Sequence, residues 1–372
     1  MKSRKISKLL GLAGLSLLYS FSPLEQKAEA QELKPFRGLC YGPFRDGQSP
    51  EWGVYPSESQ IRDDLTNKIV YLAPKIRTYG NENILYRIPE FCRDAGVECY
   101  AGAWVDNTSE DNNQVARLIQ IGKLGYATTK ALIVGSEFLY RHPGMESQLI
   151  SWVNQVKSQT GKLVSANEQW HIYRDYPNLV NAIDFGLINI YPFWEGQSID
   201  NAAAFVLDRF NFIKNKYPGK TFMIGETGWP SQGQVVGSAV PSKANQERYT
   251  RDIARIAREN GIEVFWFEAF CEKWKGEGGV GAYWGAFDSS RTIMPSTFNF
   301  FRDNNRFKSI NETNLNIQTY SGNNYFLEKS SDLTKTNWQT VTNFTGKIGT
   351  NSTSLRVNST NNPSFYRFGM GI

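Results

Sequence analysis

Four glutamates stand at or near the ends of short segments rich in apolar and β-branched residues: Glu137, Glu168, Glu226 and Glu268. Cleavage of a glycosidic bond needs one carboxylic acid that protonates the leaving oxygen and a second carboxylate that attacks the anomeric carbon or activates water. Two of these glutamates, brought to one site, could perform that reaction. Taken singly, each is equally typical of a structural ion pair.

The segments that carry the glutamates alternate regularly with helix-like segments. The predicted strands are residues 38–41, 75–79, 97–104, 131–137, 163–168, 185–194, 221–229 and 263–270, and the predicted helices are residues 57–73, 84–95, 113–128, 146–160, 199–217 and 242–260. Strict alternation implies parallel strands. Eight such units predict an α/β fold, a (β/α)8 TIM barrel that spans residues 31–303.

A doubly wound open sheet is the competing architecture for an alternating chain. It favours a glycine-rich phosphate loop after the first strand. The sequence there is GLCYGP, residues 38–43, which does not follow the G-x-G-x-x-G pattern. We therefore prefer the barrel.

In a barrel of this kind, functional residues lie at the carboxyl ends of the strands. Glu137 and Glu226 then end strands four and seven, and they could flank one bond although 89 positions separate them in the sequence. A gap of about 5 Å between the carboxyl groups predicts retention of configuration, and a gap of about 6.5 to 9.5 Å predicts inversion. Aromatic residues, on which a pyranose can stack, fall at the same ends: Tyr41, Tyr79, Trp104, Tyr191, Phe193, Trp194, Trp229 and Phe270.

The chain contains, in this order, the segments VGSE (residues 134–137), NIYPFW (189–194), IGETGWPS (224–231) and FEAFCEKWK with YWGAF (267–275 and 283–287). Together they resemble, in kind and in order, the motifs of glycoside hydrolase family 17, the β-1,3-glucanases. Residues 224–231 (IGETGWPS) resemble the nucleophile signature of that family, and residues 134–137 (VGSE) resemble its acid/base segment. Residues 189–194 (NIYPFW) resemble its sixth-strand motif, and residues 267–275 (FEAFCEKWK) with 283–287 (YWGAF) resemble its eighth strand and the following loop. The resemblance covers roughly residues 36–302, and we interpret the chain as a bacterial-type, secreted member.

The resemblance implies a retaining enzyme in which Glu226 is the nucleophile and Glu137 the general acid/base. Tyr191 would hydrogen-bond the nucleophile. Glu268, Glu272 and Lys275 match charged positions of the family near the catalytic pair, the alternative being a structural ion pair at the groove wall. The residues expected to contact the substrate are Tyr41, Tyr79, Trp104, Ser136, Glu168, Trp170, Tyr191, Phe193, Trp229, Glu268, Phe270, Glu272 and Lys275. For Trp170, packing in the core is the alternative.

Two positions depart from the family pattern. Ser136 stands where the family usually has asparagine before the acid/base, so the contact to the sugar 2-hydroxyl is expected to weaken or to pass through water. Cys271 stands where the family loop commonly has aspartate. If strands one and eight close the barrel, Cys40 and Cys271 end adjacent strands and could form a disulfide, the alternative being free buried thiols.

The chain ends add two expectations. A basic start, an apolar run at residues 9–21 and an Ala-Glu-Ala sequence at 28–30 predict a signal peptide of residues 1–30, with cleavage near Ala30 and a secreted or periplasmic protein. No other segment is long and apolar enough to cross a membrane, so no stable membrane insertion is expected. From residue 304 to residue 372, alternating runs among Asn, Thr and Ser predict a small antiparallel β module that could bind sugar, mediate attachment or pack on the barrel.

Charge and metal-ligand counts narrow the classes of partner. Residues 1–30 carry five lysines and arginines and two glutamates, so the net charge of +5 falls to +2 without them and gives no reason to expect nucleic acid. With two histidines and no CxxC spacing we expect no metal and no cofactor. We expect a monomer that binds β-glucan polysaccharide or oligosaccharide. Three functions remain possible: a hydrolase, a transglycosylase with the same residues, or a non-catalytic glucan-binding protein.

Overall fold

Eight parallel strands close into a barrel in this computed structural model, which describes residues 37–276, 279–294 and 296–297 together with six C-terminal strands. Each strand pairs with the next, and the eighth pairs with the first. The strands are β1 (Arg37–Cys40), β2 (Lys75–Arg77), β3 (Glu98–Ala103), β4 (Thr129–Ser136), β5 (Leu163–Gln169), β6 (Gly186–Asn189), β7 (Phe222–Thr227) and β8 (Val264–Trp266). The predicted (β/α)8 barrel is confirmed. The predicted signal peptide, residues 1–30, lies outside the described residues.

Helices follow the strands and cover the outside of the barrel. They are α1 (Glu58–Asp64), α2 (Val70–Leu72), α3 (Ile88–Ala95), α4 (Asp111–Lys123), α5 (Phe138–Arg141), α6 (Glu146–Thr160), α7 (Trp170–Asp175), α8 (Pro177–Ala182), α9 (Ile199–Lys216) and α10 (Lys243–Asn260). The first of these helices begins with a capping box, since the side chains of Ser57 and Gln60 each accept the other's backbone N–H. The short helices α5, α7 and α8 were not predicted, because two of them begin at the strand ends themselves.

Two hydrophobic clusters hold the barrel together. Along β4, Leu132 and Val134 join the outer cluster, between strands and helices, while Ala131 and Ile133 join the inner one, as the two-residue period of a strand requires. The inner cluster also contains Cys40, Phe185, Leu187, Met223 and Phe265. Because side chains fill the interior, a ligand site is left to the mouth of the barrel.

Two predicted strands are shorter in the structure. The segment predicted as 185–194 leaves the sheet at Asn189, and a turn follows in which the Glu195 N–H bonds the Tyr191 carbonyl at 3.2 Å. The segment predicted as 263–270 leaves the sheet at Trp266. The aromatic residues beyond these points therefore belong to loops, whose direction the strand period does not determine.

The four cysteines are free and buried. The Cys40 thiol lies 3.4 Å from the Gly225 carbonyl oxygen, and the Cys271 sulfur lies 3.9 Å from the Met294 sulfur. The disulfide considered between Cys40 and Cys271 is therefore not formed. Burial raises the pKa of the Cys271 thiol to about 12.

Six short strands follow the barrel in the sequence: β9 (Ile310–Asn311), β10 (Asn314–Ile317), β11 (Asn324–Ser330), β12 (Gln339–Thr345), β13 (Thr353–Arg356) and β14 (Phe365–Met370). They pair antiparallel in two three-stranded sheets, in the orders β13-β10-β9 and β12-β11-β14. Antiparallel pairing is what the alternating sequence predicted, whereas the domain boundary at residue 304 stays a prediction. Within the described residues, every helix is too short or too polar to traverse a lipid bilayer.

Candidate active site

Glu226, in β7, is a buried carboxylate with a donor on each oxygen. Both Nη atoms of Arg77 donate to its Oε1 at 2.7 Å, and the Tyr191 hydroxyl donates to its Oε2 at 2.5 Å. Glu226 itself is 5% exposed and Arg77 is fully buried. Charge-assisted hydrogen bonds of this kind are among the strongest in proteins, so the orientation of the carboxylate is fixed from β2 and from the turn after β6.

Arg77 ends β2 and links the nucleophile candidate to Ser136. Its Nη2 also donates to the Ser136 Oγ at 3.0 Å, and its guanidinium lies 4.6 Å from the centroid of the Tyr79 ring. A second donor, Asn167 Nδ2 from β5, reaches the same Ser136 Oγ at 3.0 Å. Ser136 thus accepts two hydrogen bonds within the protein, in the position where the family resemblance implies an asparagine.

Glu137 follows β4 in a left-handed conformation, with φ 55° and ψ 33°. Its backbone N–H donates to the Asn167 carbonyl at 2.7 Å, and its Oε1 accepts from Asn189 Nδ2 at 2.8 Å. Burial and the nearby charge of Glu226 raise the pKa of Glu137, while Asn189, Gln169 and Arg141 act in the opposite direction. A raised pKa suits a carboxyl group that must deliver a proton near neutral pH.

One cleft of about 1320 Å³ contains both glutamates. At one end, the cleft is lined by the loops after β1 and β2, which contribute Tyr55 and Glu82. At the other end, it is lined by the segments after β5 and β6, which contribute Trp170 and Glu195. In an eight-stranded barrel these two pairs of strands lie opposite each other, so the cleft crosses the mouth, with β4 on one side of it and β7 on the other. A chain molecule lying in the cleft would therefore pass between the two carboxyl groups.

Ten of the residues predicted for the site line this cleft: Tyr41, Tyr79, Trp104, Ser136, Glu137, Trp170, Tyr191, Glu226, Glu272 and Lys275. Five lie elsewhere: Glu168, Phe193, Trp229, Glu268 and Phe270. Each of these five is fully buried. Their contacts explain the difference.

The three aromatic residues among the five pack inside the protein. Phe193 meets Trp229 and Trp284 edge-on, with ring centroids 5.5 Å apart in each pair. The indole N–H of Trp229 donates to the Val240 carbonyl at 3.1 Å. Phe270 lies 5.1 Å from Phe287, centroid to centroid. These rings close the loops after β6, β7 and β8 instead of facing a ligand.

Glu268 and Glu272 share the ammonium group of Lys275. Lys275 Nζ bonds Glu268 Oε2 and lies 2.7 Å from Glu272 Oε2. Burial raises the pKa of Glu268. The charge of Lys275 acts to lower this pKa, and the charge of Glu272 raises it further. Glu272 also accepts the Phe44 N–H at 3.3 Å, and a Cβ at Gly42 would come within 2.5 Å of its Oε2. This cluster therefore fixes the loop after β1 at the cleft wall, the structural role considered for Glu268.

Glu168 is the fifth predicted residue outside the cleft lining. Its Oε1 accepts the backbone N–H of Leu139 at 2.9 Å. Burial raises the pKa of Glu168 to about 8; the Leu139 N–H lowers it and the charge of Glu137 raises it. The side chain thus bonds the backbone of α5 and does not face the cleft.

Two tryptophans at the cleft are exposed and backed on one face. Trp104 is 39% exposed, with the Arg141 guanidinium 4.4 Å from its ring centroid, and Trp194 is 40% exposed, with its ring 5.8 Å from that of Trp284. Both line the cleft. A rigidly backed indole with a free face is suited to stacking on a pyranose. Trp170 is held differently, since its indole N–H donates to Glu195 Oε1 at 3.0 Å.

Sequence reasoning assigned no role to Arg77, Asn167, Asn189 and Arg141. Arg77 had a signal, a basic residue at the end of a predicted buried strand, where it needs an anionic partner. Asn189 opens the NIYPFW motif but had no role assigned. Within the described residues, no group of three or more His, Cys, Asp or Glu side chains could hold a metal ion.

Carboxyl groups at the ends of strands four and seven of a (β/α)8 barrel, on the two sides of one cleft, are the arrangement found in glycoside hydrolases. The sequence agrees with this class. Residues 38–285 match the family model for the BtgE/BtgC glycoside hydrolase domain, and the chain belongs to this family. The family membership expected from the four motifs is therefore confirmed.

Two similar proteins come from yeasts. A glucan 1,3-beta-glucosidase of Saccharomyces cerevisiae is 28% identical over 276 residues, which cover 68% of this chain and 87% of that protein. A glucan 1,3-beta-glucosidase of Schizosaccharomyces pombe is 28% identical over 306 residues, 77% of this chain and 93% of that protein. These relatives give no support to the expectation of a bacterial-type member.

Solved structures show the same architecture. The glycoside hydrolase family 17 beta-1,3-glucanosyltransferase from Rhizomucor miehei is 28% identical, with a TM-score of 0.61 over 70% of this chain and 95% of that one. An endo-laminarinase from Formosa, at 17% identity, shares the fold with a TM-score of 0.60 over 73% of this chain and 88% of that one.

Proposed function

We propose that the chain acts on β-1,3-linked glucan by a retaining, double-displacement mechanism, with Glu226 as nucleophile and Glu137 as general acid/base. The observation that carries the proposal is the unequal environment of the two carboxyl groups at one cleft. Glu226 receives three short hydrogen bonds from Arg77 and Tyr191, whereas the pKa of Glu137 is raised by burial and by the charge of Glu226. Opposed environments of this kind separate a nucleophile from an acid.

In the first step, a carboxylate oxygen of Glu226 forms a bond to the anomeric carbon as the bond to the leaving oxygen breaks. Glu137 transfers its proton to that oxygen, so the departing chain leaves as a neutral hydroxyl. Arg77 and Tyr191 hold the attacking carboxylate in one orientation, which removes the need to reorganise it during the reaction.

In the second step, Glu137 works as a base. Once Glu226 is esterified it has no negative charge, so one cause of the raised pKa of Glu137 disappears and its carboxylate form becomes more favourable. Glu137 then removes a proton from the water or sugar hydroxyl that attacks the anomeric carbon. The glycosyl–Glu226 bond breaks, and the original configuration is restored.

The substrate assignment rests on the cleft and on the relatives. An open cleft that crosses the whole mouth suits a polymer or oligosaccharide chain, and the indoles of Trp104 and Trp194 suit its sugar rings. The yeast relatives are named for glucan 1,3-β-glucosidase activity. We further propose a monomer, secreted or periplasmic after loss of residues 1–30, with no nucleic-acid partner.

The test is hydrolysis of laminarin by the wild-type protein beside Glu226→Gln and Glu137→Gln. We expect the first variant to lose activity by on the order of 10³-fold or more. Glu259→Gln is a matched control, because Glu259 is exposed on α10 and pairs only with the exposed Arg255 in the described contacts. Wild-type activity in Glu226→Gln would exclude the proposal, and turnover that depends on Glu137 would exclude a glucan-binding protein without activity.

Transfer to a sugar acceptor is the second candidate, since the Rhizomucor miehei structure is that of a glucanosyltransferase. The residues would be the same, and only the molecule that intercepts the glycosyl–Glu226 intermediate differs. Laminaripentaose at high concentration separates the two: products longer than the substrate favour transfer, and shorter products alone favour hydrolysis.

A further inference from the structure

Glu137 occupies the N-cap position of α5 but does not cap the helix. An N-cap side chain usually accepts a backbone N–H from the first turn. The Glu137 carboxyl makes no such bond; its Oε1 accepts from Asn189 instead. The first turn of α5 therefore needs an acceptor from another part of the chain.

Glu168 supplies that acceptor from the neighbouring strand. Its Oε1 accepts the N–H of Leu139, the second residue of α5, at 2.9 Å, and the side chain is fully buried. The preceding residue, Asn167, accepts the N–H of Glu137 itself at 2.7 Å. Two consecutive residues of β5 thus hold the backbone on both sides of the Glu137 Cα.

The backbone at Glu137 depends on this support. A non-glycine residue at φ 55° is in a sparsely populated conformation, which persists only where the surroundings over-determine it. Without Glu168, the buried Leu139 amide loses its acceptor, and the Glu137 carboxyl, at the N-cap position of α5, is placed to replace it. That side chain would turn back toward its own helix and leave Asn189.

We infer that Glu168 is a positioning residue for the general acid: it caps α5 in place of Glu137 and thereby leaves the Glu137 carboxyl free to face the cleft. The inference rests on the proposed role of Glu137 as the acid. It assigns no contact with substrate to Glu168, and it explains why a carboxyl group is kept in a fully buried position of β5.

The test compares two substrates that differ in their need for an acid. Laminaripentaose needs a proton on its leaving oxygen, whereas 2,4-dinitrophenyl β-laminaribioside releases a stable phenolate and needs none. Glu168→Met and Glu168→Leu remove the acceptor, so either one that folds gives the result. We expect kcat/KM for laminaripentaose to fall about 10²-fold, within the range of a general acid, and kcat/KM for the aryl glycoside, which depends on the first step alone, to stay within about threefold. Glu168→Gln keeps an acceptor for the Leu139 N–H and should have wild-type kcat/KM for both substrates.

Glu146→Leu is the matched control, because Glu146 Oε1 accepts the N–H of Leu179 in the first turn of α8 at 3.1 Å, outside the cleft lining. This control should leave the ratio of kcat/KM for laminaripentaose to kcat/KM for the aryl glycoside unchanged. Glu137→Gln should show the same selective loss as the two Glu168 variants. The inference is wrong, while the acid assignment stands, if Glu137→Gln shows the selective loss but the two Glu168 variants do not. Such variants would lower kcat/KM equally for both substrates, or for neither. If Glu137→Gln shows no selective loss, the acid assignment fails and the inference with it.

Discussion

Arg77 and Glu226 form a buried ion pair in which both guanidinium Nη atoms donate to the same carboxylate oxygen, each at 2.7 Å. The second oxygen accepts from Tyr191 at 2.5 Å. Because the guanidinium is planar and rigid, this arrangement sets the plane of the carboxylate as well as its position. The orientation of the proposed nucleophile is thus set by β2 and by the turn after β6.

Replacing Arg77 with methionine should reduce both activity and stability. The variant leaves Glu226 buried without its positive partner, a change that costs about 3 kcal/mol or more in free energy of unfolding. We expect kcat on laminarin to fall by on the order of 10²-fold, because the carboxylate loses two of its three donors. Urea unfolding and initial rates measure the two effects.

Arg255→Met provides the matched control for Arg77→Met. Arg255 pairs with Glu259 on the exposed face of α10, with both side chains more than half exposed, and exposed pairs contribute about 0 to 1 kcal/mol. Equal losses of stability in the two variants would contradict the buried pair, and an unchanged kcat in Arg77→Met would contradict its orienting role.

The charge of Glu226 should be visible in the titration of Glu137. Since that charge contributes to the raised pKa of Glu137, Glu226→Gln should lower the pKa of Glu137 relative to the wild-type protein. Carbon-detected NMR of labelled glutamate carboxyl groups measures this directly. Glu263→Gln, at the amino end of β8 beside Lys75, should leave that pKa unchanged. If the pKa of Glu137 stays the same or rises in Glu226→Gln, the charge of Glu226 does not raise it in the wild-type protein.

Glu168 should make the stability of the protein fall as pH rises. Its pKa is about 8 in the folded state against an ordinary value of 4.5, so the folded state binds the extra proton and stability declines from about pH 4.5 to pH 8. The slope has an upper limit of about 1.4 kcal/mol per pH unit. Glu168→Gln, which does not titrate, should therefore gain stability relative to wild type between pH 5 and pH 8 in urea unfolding. A difference that does not change with pH would contradict the burial of this carboxyl.

Ser136 should matter for activity through Arg77. Its Oγ accepts from Arg77 Nη2 and from the buried Asn167 Nδ2, so Ser136→Ala leaves the asparagine without that acceptor at a cost of about 1 to 3 kcal/mol. We expect about a tenfold loss in kcat on laminarin. Ser158→Ala, on the exposed face of α6, should change stability by less than about 0.5 kcal/mol. Wild-type kcat in Ser136→Ala would show that this serine does not support Arg77.

The barrel and the two glutamates could be predicted from the sequence because both follow from local signals. Strand period and alternation define the fold, and residues 224–231 and 134–137 resemble two motifs of the family. Phe193 and Phe270 could not be placed, since they lie beyond the points where β6 and β8 end and the direction of a loop has no period. The partner of Arg77 could not be predicted, because the ion pair joins residues 149 positions apart. The burial of Glu168 depends on α5, a helix of four residues that is too short for a sequence pattern.

A covalent bond between the substrate and Glu226 distinguishes the proposed mechanism from the alternatives, and trapping the intermediate detects it. Incubation with 2-deoxy-2-fluoro-β-laminaribiosyl fluoride, followed by peptide mass spectrometry, measures whether and where a glycosyl ester accumulates. We expect one added fluoro-laminaribiosyl group, carried on Glu226 within residues 224–231, and none on the Glu226→Gln variant. A label on another carboxylate, or release of the α-anomer with no covalent adduct, would contradict it.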